Sequence, residues 1–382
     1  MIIYFIVIII LLLFSSNKRN HIYYSPTNIQ NLGNLVSLPM HYRSIPILLL
    51  TAVIGLKEVS VGSDTISYYY RYENAMEMMT NESVQSEMGF NLMNLFFHDV
   101  IFFPWQLYLL FLSFVIIGGT SFFVNRFSDD VFFSFFIYLT IGCFTLDMSG
   151  IRQSLAISLC YVALTLLDYW DVFSPKKQLT VNFILQKMKI YIIPILLILL
   201  AASFHNSSIV FFVVFLMRHF RLSKKQLFVI LLIAISAIFY KNLVTSLIPA
   251  LEGTRYSTLD FDEEYAINPL VILVTITIPM AALYFIPTER DGKYPCIITL
   301  MFLFAALNIF FKILSMNQVL LGRMSDYFMN CYVILIPTLI YSLKRQNSIV
   351  IKSVISLLCI IMFYMGTKGG AYKIDHYLFF WQ

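Results

Sequence analysis

This chain has little charge. Only 12% of its 382 residues are Asp, Glu, Lys or Arg, against roughly 25% in a soluble globular domain; 59% are hydrophobic and the mean hydropathy is +0.79. That shortage excludes an ordinary soluble fold and makes the chain an integral membrane protein. Cysteine is scarce too. Cys143, Cys160, Cys296, Cys331 and Cys359 lie far apart inside apolar stretches with no paired spacing, which excludes a disulfide framework or thiolate metal site and leaves them as small core residues. Also missing are a Gly/Ser- or Pro-rich linker and an internal repeat, so the chain reads as one polytopic domain, 1–382. No basic segment precedes "MIIYFIVIIILLLF" and no small-residue cleavage site follows it; it reads as a retained helix rather than a cleaved signal. Alternating ten-residue segments are absent, and a β-barrel would need them.

What is present is a series of continuously apolar runs such as "YIIPILLILLAASF". A helix needs about 20 residues to cross the hydrocarbon core, and lipid offers the backbone no hydrogen-bond partners, so spans of this kind are helices. Twelve are read, at about 2–14, 43–57, 101–124, 131–148, 150–168, 190–204, 207–220, 226–248, 268–287, 294–314, 325–343 and 349–366. With both termini outside, 17 of the 26 lysines and arginines fall in cytoplasmic loops, as the positive-inside bias requires. The fold class is therefore all-α, about twelve transmembrane helices, N-out and C-out. Residues 57–100 and 249–267 are its larger extracytoplasmic loops and 169–189 a cytoplasmic one. The net charge of +5 is explained by attraction to the anionic cytoplasmic leaflet of the lipid bilayer, without nucleic acid.

The polar residues that hydropathy does not explain gather on the outer side. In "VGSDT" a tight turn presents Asp64 near the membrane surface; it is either a turn and cap residue or a reactive carboxylate. The rest of that loop, through "NLMNLFFHDVIFF", is expected to lie partly in the interface as an amphipathic element. In "DMSGIRQSLAISL", Ser149 is placed to cap a helix beginning at Gly150. Arg152 then falls in the first turn, where the macrodipole is already positive, and an anion must compensate it. The anion is a ligand such as phosphate, which an arginine fork beside a helix N-terminus suits, or a structural partner, Asp147 or a carboxylate of another loop. In "AASFHNSSIVFF", His205 is a base, a phosphate contact or a structural hydrogen bonder.

Arg255, in "LEGTRYSTLDFDEEYAIN", and Arg323, in "KILSMNQVLLGRMSDYFMNCY", each stand on the side where basic residues are scarce, and boundary charges are site candidates. Asp260 and Asp262 with Glu263 and Glu264 offer oxygen ligands for a divalent metal, or form an ordinary solvated loop. Arginines 152, 255 and 323 come from three outer loops. Together they would repel one another without a polyanion, and a lipid-linked diphosphate at the outer leaflet is the simplest one.

"VGSDTISYY", "SGIRQSLAISL", "SFHNSSIV", "GTRYSTL" and "GRMSDYF", in this order, resemble the EpsG-type family of membrane polysaccharide polymerases, related in role to Wzy proteins that polymerise O-antigen and capsule repeat units. The likeness runs from about residue 40 to about 330. Where the family often has an arginine before the Val-Gly pair, this chain has Lys57. The resemblance implies a multi-helix, GT-C-like glycosyltransferase in the bacterial cytoplasmic (inner) membrane. It would join oligosaccharide repeat units carried on undecaprenyl diphosphate, at the outer face and without cofactor or metal. A flippase and a chain-length regulator are expected partners. Asp64 and His205 are then the candidates for the base, and Arg152, Gln153, Arg255, Tyr256 and Arg323 for diphosphate and sugar binding, with Asp326 a weaker match. A flippase or exporter of lipid-linked oligosaccharides is the main competing reading. A membrane acyltransferase and a structural export subunit are the others.

Overall fold

The computed structural model describes residues 1–15, 40–80, 87–173, 181–246, 269–289, 291–317, 319–368 and 372–382, and among them there are helices and turns but no strands. The first half of the chain folds as α1 (Ile2–Phe14), α2 (Met40–Gly55), α3 (Thr65–Glu73), α4 (Ala75–Thr80), α5 (Met88–Leu95) with a π-turn over Phe96–Val100, α6 (Trp105–Phe127), α7 (Val131–Thr140), α8 (Cys143–Ser149), α9 (Ile151–Phe173) and α10 (Val181–Phe204). A 3₁₀ segment, Asn206–Val213, leads into α11 (Val214–Met217). Then follow α12 (Lys224–Ser246), α13 (Pro269–Phe285), α14 (Cys296–Leu314), α15 (Val319–Met329), α16 (Cys331–Ser342) and α17 (Arg345–Lys368).

Two compact units emerge, the first running to Phe212 and resuming at Cys359, the second covering Val213–Leu358. In the first, α6 is the central helix, with α2 and α9 against it and α10 against α9. Aromatic and aliphatic side chains such as Tyr108, Ile116, Phe123 and Tyr161 are fully buried there. Polar anchors mark its two ends. At one, Arg126 donates from Nε to Asp168 at 2.8 Å and Ser15 donates to Asp130 at 2.6 Å; Asp130 also caps α7 through Phe133 N. At the other, the chain's N-terminal amine bonds the Asp375 carbonyl, and the segment 372–382 docks on the end of α2. Phe380 N donates to Leu56 O, Glu58 N to Leu378 O, and the Tyr377 hydroxyl to Val53 O.

In the second unit α14 packs on α12 and α15, and α13 on α16. A buried amide ties it: Asn308 donates to the Ser325 carbonyl at 3.0 Å, and Tyr332 reaches both Asn308 Oδ1 and the Thr275 carbonyl. In lipid such a bond is worth about 0.6 kcal/mol and at most about 1.7. The segments before α12 and α14 pair at one end, through Tyr294 N to Leu222 O and the ion pair of Arg221 with Glu289 and Asp291.

The expected all-helical class matches the structure. Among the described residues, length and composition show fewer spans than the twelve read: α6, Ile151–Asp168 of α9, α14 and α17 are long and apolar enough to cross, and α7 with α8 makes a fifth if counted as one bent span. Several of the runs are broken. Hydropathy counts apolar residues but does not see breaks. The run read as 131–148 turns by 61° between α7 and α8, where Gly142 takes φ 113°, a conformation glycine adopts without a Cβ penalty. The run at 325–343 breaks at Asn330, between α15 and α16, and the run at 207–220 begins as a 3₁₀ segment. Much of the outer loop 57–100 is helical, as α3, α4, α5 and the π-turn. It buries Phe90 and Asn94 and leaves Phe96 and Val100 exposed, as is Phe102 just beyond it. The loop read at 169–189 is largely taken up by α9, which runs on to Phe173, and by α10, which starts at Val181; residues 249–267 lie outside the described residues.

Candidate functional site

The turn "VGSDT" and the helix start "SGIRQ" are locked onto each other. Gly62, at φ 99°, lies so close to the Met148 carbonyl that a Cβ there would overlap it. Its neighbour Ser63 shares a hydrogen bond with Ser149. Lys57, two residues beyond the end of α2, is fully buried and donates from Nζ to Thr65 Oγ1 at 2.9 Å and to the Met148 carbonyl. A cation at the C-terminal end of α8 is where the helix macrodipole favours one. The docked tail closes the turn from the other side, with Gly62 N and Ser63 N both donating at 3.0 Å to Lys373 O and Tyr372 O.

Burial lowers the Lys57 ammonium to about 7, with Asp147 and Asp64 pulling the other way. An unfolded lysine holds its proton up to about 10.4, so between about 7 and that value the unfolded chain binds more protons and stability rises with pH. The expected result is a thermal midpoint in detergent that climbs with pH over that window in the wild type and flattens in Lys57→Met. Parallel pH curves for the two proteins would contradict it.

Ser149 does not cap α9. It closes α8, Gly150 takes the capping position with its carbonyl accepting from Ser154 N, and the Ser149 hydroxyl is spent on Ser63. Asp147 is likewise not the partner of Arg152: it is buried and accepts from the Tyr138 hydroxyl. The anion that the first turn of α9 requires comes from a residue the sequence reading did not single out, Glu87. Its Oε2 forms an ion pair with Arg152 Nη1, and its Oε1 lies 2.7 Å from His205 Nδ1. The three side chains are 12%, 21% and 9% exposed respectively.

Local packing explains the meeting. Glu87 sits just before α5, and Gly89 lies so close to Ser203 of α10 that a Cβ would overlap its hydroxyl. The start of α5 is thereby pressed against the end of α10, where His205 follows. Arg152 is held from a third side by aromatic faces, its Cζ 5.5 Å from the Tyr68 ring centroid and 6.0 Å from that of Phe90, a geometry worth about 0.5–2 kcal/mol. Its Nε is buried without a hydrogen-bond partner.

Asp64 occupies the position before α3, where its side chain makes no capping bond; the Ser63 hydroxyl donates to it at 3.3 Å and it is exposed. Gln153 is buried, at 7% exposure, within the helix packing. The first unit thus brings Asp64's turn, Arg152 and His205 together with Glu87. Arg323 is half-buried on α15 of the second unit, where Asp326 also lies. Arg255, Tyr256 and the acidic group Asp260, Asp262, Glu263 and Glu264 lie outside the described residues. Among the described residues no three His, Cys, Asp or Glu side chains stand together as a metal would require.

No curated protein and no solved structure matches the chain. A family model does, over residues 40–379, a stretch that contains the interlocked turn and helix start, Glu87 and the histidine. The chain therefore belongs to the EpsG family, whose members are polysaccharide polymerase-like proteins of the membrane.

Proposed function

We propose that the protein is a glycosyltransferase that polymerises oligosaccharide repeat units carried on undecaprenyl diphosphate, at the outer face of the bacterial cytoplasmic membrane. The observation that carries this reading is Arg152. It is a guanidinium in the first turn of a long apolar helix, neutralised on one edge by Glu87 and holding a buried Nε–H without an acceptor. Leaving such a donor unpaired costs about 1–3 kcal/mol, which an anionic ligand oxygen would recover. Membership of the EpsG family supports the reaction class.

In this reading the acceptor's sugar hydroxyl attacks the anomeric carbon of the donor chain. A new C–O bond forms as the anomeric carbon–phosphate oxygen bond breaks, and the electron pair leaves with undecaprenyl diphosphate. Asp64 or His205 takes the hydroxyl proton. Arg152 balances charge gained by the diphosphate, and the motifs of Arg255 and Arg323 make each a candidate for the same kind of contact, so the reading needs no metal or cofactor. Sidedness is consistent with it. The segments that the lysine and arginine bias assigns outside (the first residue, the turn at 57–65, the α8–α9 junction, His205 and the tail) meet at one end of the first unit, while Ser15, Arg126, Asp130 and Asp168 meet in pairs elsewhere.

A deletion strain tests the proposal. Loss of long polymer with a single repeat unit still displayed at the surface is the expected result. Intracellular accumulation of lipid-linked units would make the protein a flippase instead, and unchanged polymer would exclude both.

A further inference from the structure

We infer that Glu87 is the positioning carboxylate of a Glu–His pair that makes His205, rather than Asp64, the proton acceptor of the proposed reaction; the inference rests on that reading and assigns its base. The geometry separates the two candidates. His205 has a carboxylate oxygen 2.7 Å from Nδ1. The tautomer that donates from Nδ1 to Glu87 places the basic lone pair on Nε2, and the carboxylate stabilises the imidazolium formed when that nitrogen takes a proton. Asp64 is exposed, with a serine hydroxyl at 3.3 Å and Lys57 acting on it without a hydrogen bond among the described residues.

The arrangement on Glu87 is itself specific. A residue at that position before a helix is placed to bond the first-turn amides, yet Glu87 makes no such bond, and its two oxygens turn instead to His205 and Arg152. Arg152 matters to the histidine through this bridge. A lone buried carboxylate would favour a charged imidazolium, which cannot accept a proton; Arg152, paired with the same carboxylate, offsets that pull. When the acceptor O–H breaks and its proton passes to Nε2, the cluster gains one positive charge. The leaving diphosphate gains one negative charge in the same step, so the two changes offset each other.

The test uses purified full-length protein and the lipid-linked repeat unit extracted from the deletion strain. Glu87→Gln keeps size and one acceptor but removes the charge. It is expected to lower kcat about tenfold to a hundredfold with KM within about twofold, and to move the acid limb of the kcat profile to lower pH, because an imidazolium without its carboxylate is a stronger acid. In His205→Gln kcat falls at least as far, and adding Glu87→Gln lowers it no further, since residues that act as one unit are not additive. An unchanged kcat and acid limb in Glu87→Gln, or a rise in KM alone, would reduce Glu87 to a structural or binding partner of Arg152. His205→Gln retaining kcat overturns the assignment however Glu87→Gln folds. If the wild-type protein forms no polymer from that lipid, the functional reading fails and takes this inference with it.

Discussion

Arg152→Lys is expected to lower long-chain polysaccharide by about a hundredfold or more, with membrane levels of the protein unchanged. The magnitude is that of removing one preorganised donor from a site where charge develops in the transition state, roughly 10²–10³ in rate. Lysine retains the positive charge and can still pair with Glu87, so a purely structural Arg152 would tolerate the change. What it loses is the planar fork: the buried Nε–H, the second-edge donors, and the flat face set against Tyr68 and Phe90. Arg and Lys are not interchangeable where those features act. A polysaccharide gel beside an immunoblot of the membrane fraction decides the matter. Near-wild-type long chains in the variant would end the diphosphate role and leave the Glu87 ion pair as the whole purpose of the residue.

Gly62→Ala is the second large effect, and it acts on folding first. The residue has φ 99°, and the added Cβ would run into the Met148 carbonyl oxygen, a backbone atom that cannot swing aside. A strained dihedral of this kind costs about 1–3 kcal/mol and an overpacked contact about 1–3 more, so a loss of about 3 kcal/mol is expected. The turn can relieve the clash only by lifting off α8. That would break the Ser63–Ser149 bond, pull Lys57 from the Met148 carbonyl and release the tail that the Gly62 and Ser63 amides hold. Polymer formation should fall with stability, and a thermal scan in detergent measures the loss. Gly118→Ala is the control. No atom lies within 4 Å of its Cβ position, it is inside α6, and alanine there should be neutral or stabilising by up to about 1 kcal/mol. Equal midpoints for Gly62→Ala and the wild type would show that the interlock carries no stability.

The sequence alone determined the features that depend on local composition. Scarce charge and long apolar runs are properties of windows of about 20 residues, and they specify a membrane protein made of helices because lipid leaves the backbone no other way to satisfy its hydrogen bonds. The motifs around Asp64, Arg152 and His205 were legible for the same reason: each is a short string. So was the need for an anion beside Arg152, since the polarity of a first helical turn follows from the sequence position.

Which anion it is, only the tertiary structure decided. Glu87 is an ordinary acidic residue in "NESVQSEMGF", separated from His205 by 118 positions, and nothing nearby in the chain distinguishes it. Its role exists because α5 comes down on α10 at Gly89 and Ser203, a contact set by long-range packing. The breaks at Gly142 and Asn330 escaped hydropathy because a bend changes direction without changing composition. The docked tail escaped it as well, since its bonds to Leu56, Glu58, Gly62 and Ser63 run almost entirely through backbone atoms. Every residue carries those atoms, so side-chain identity cannot announce where they pair.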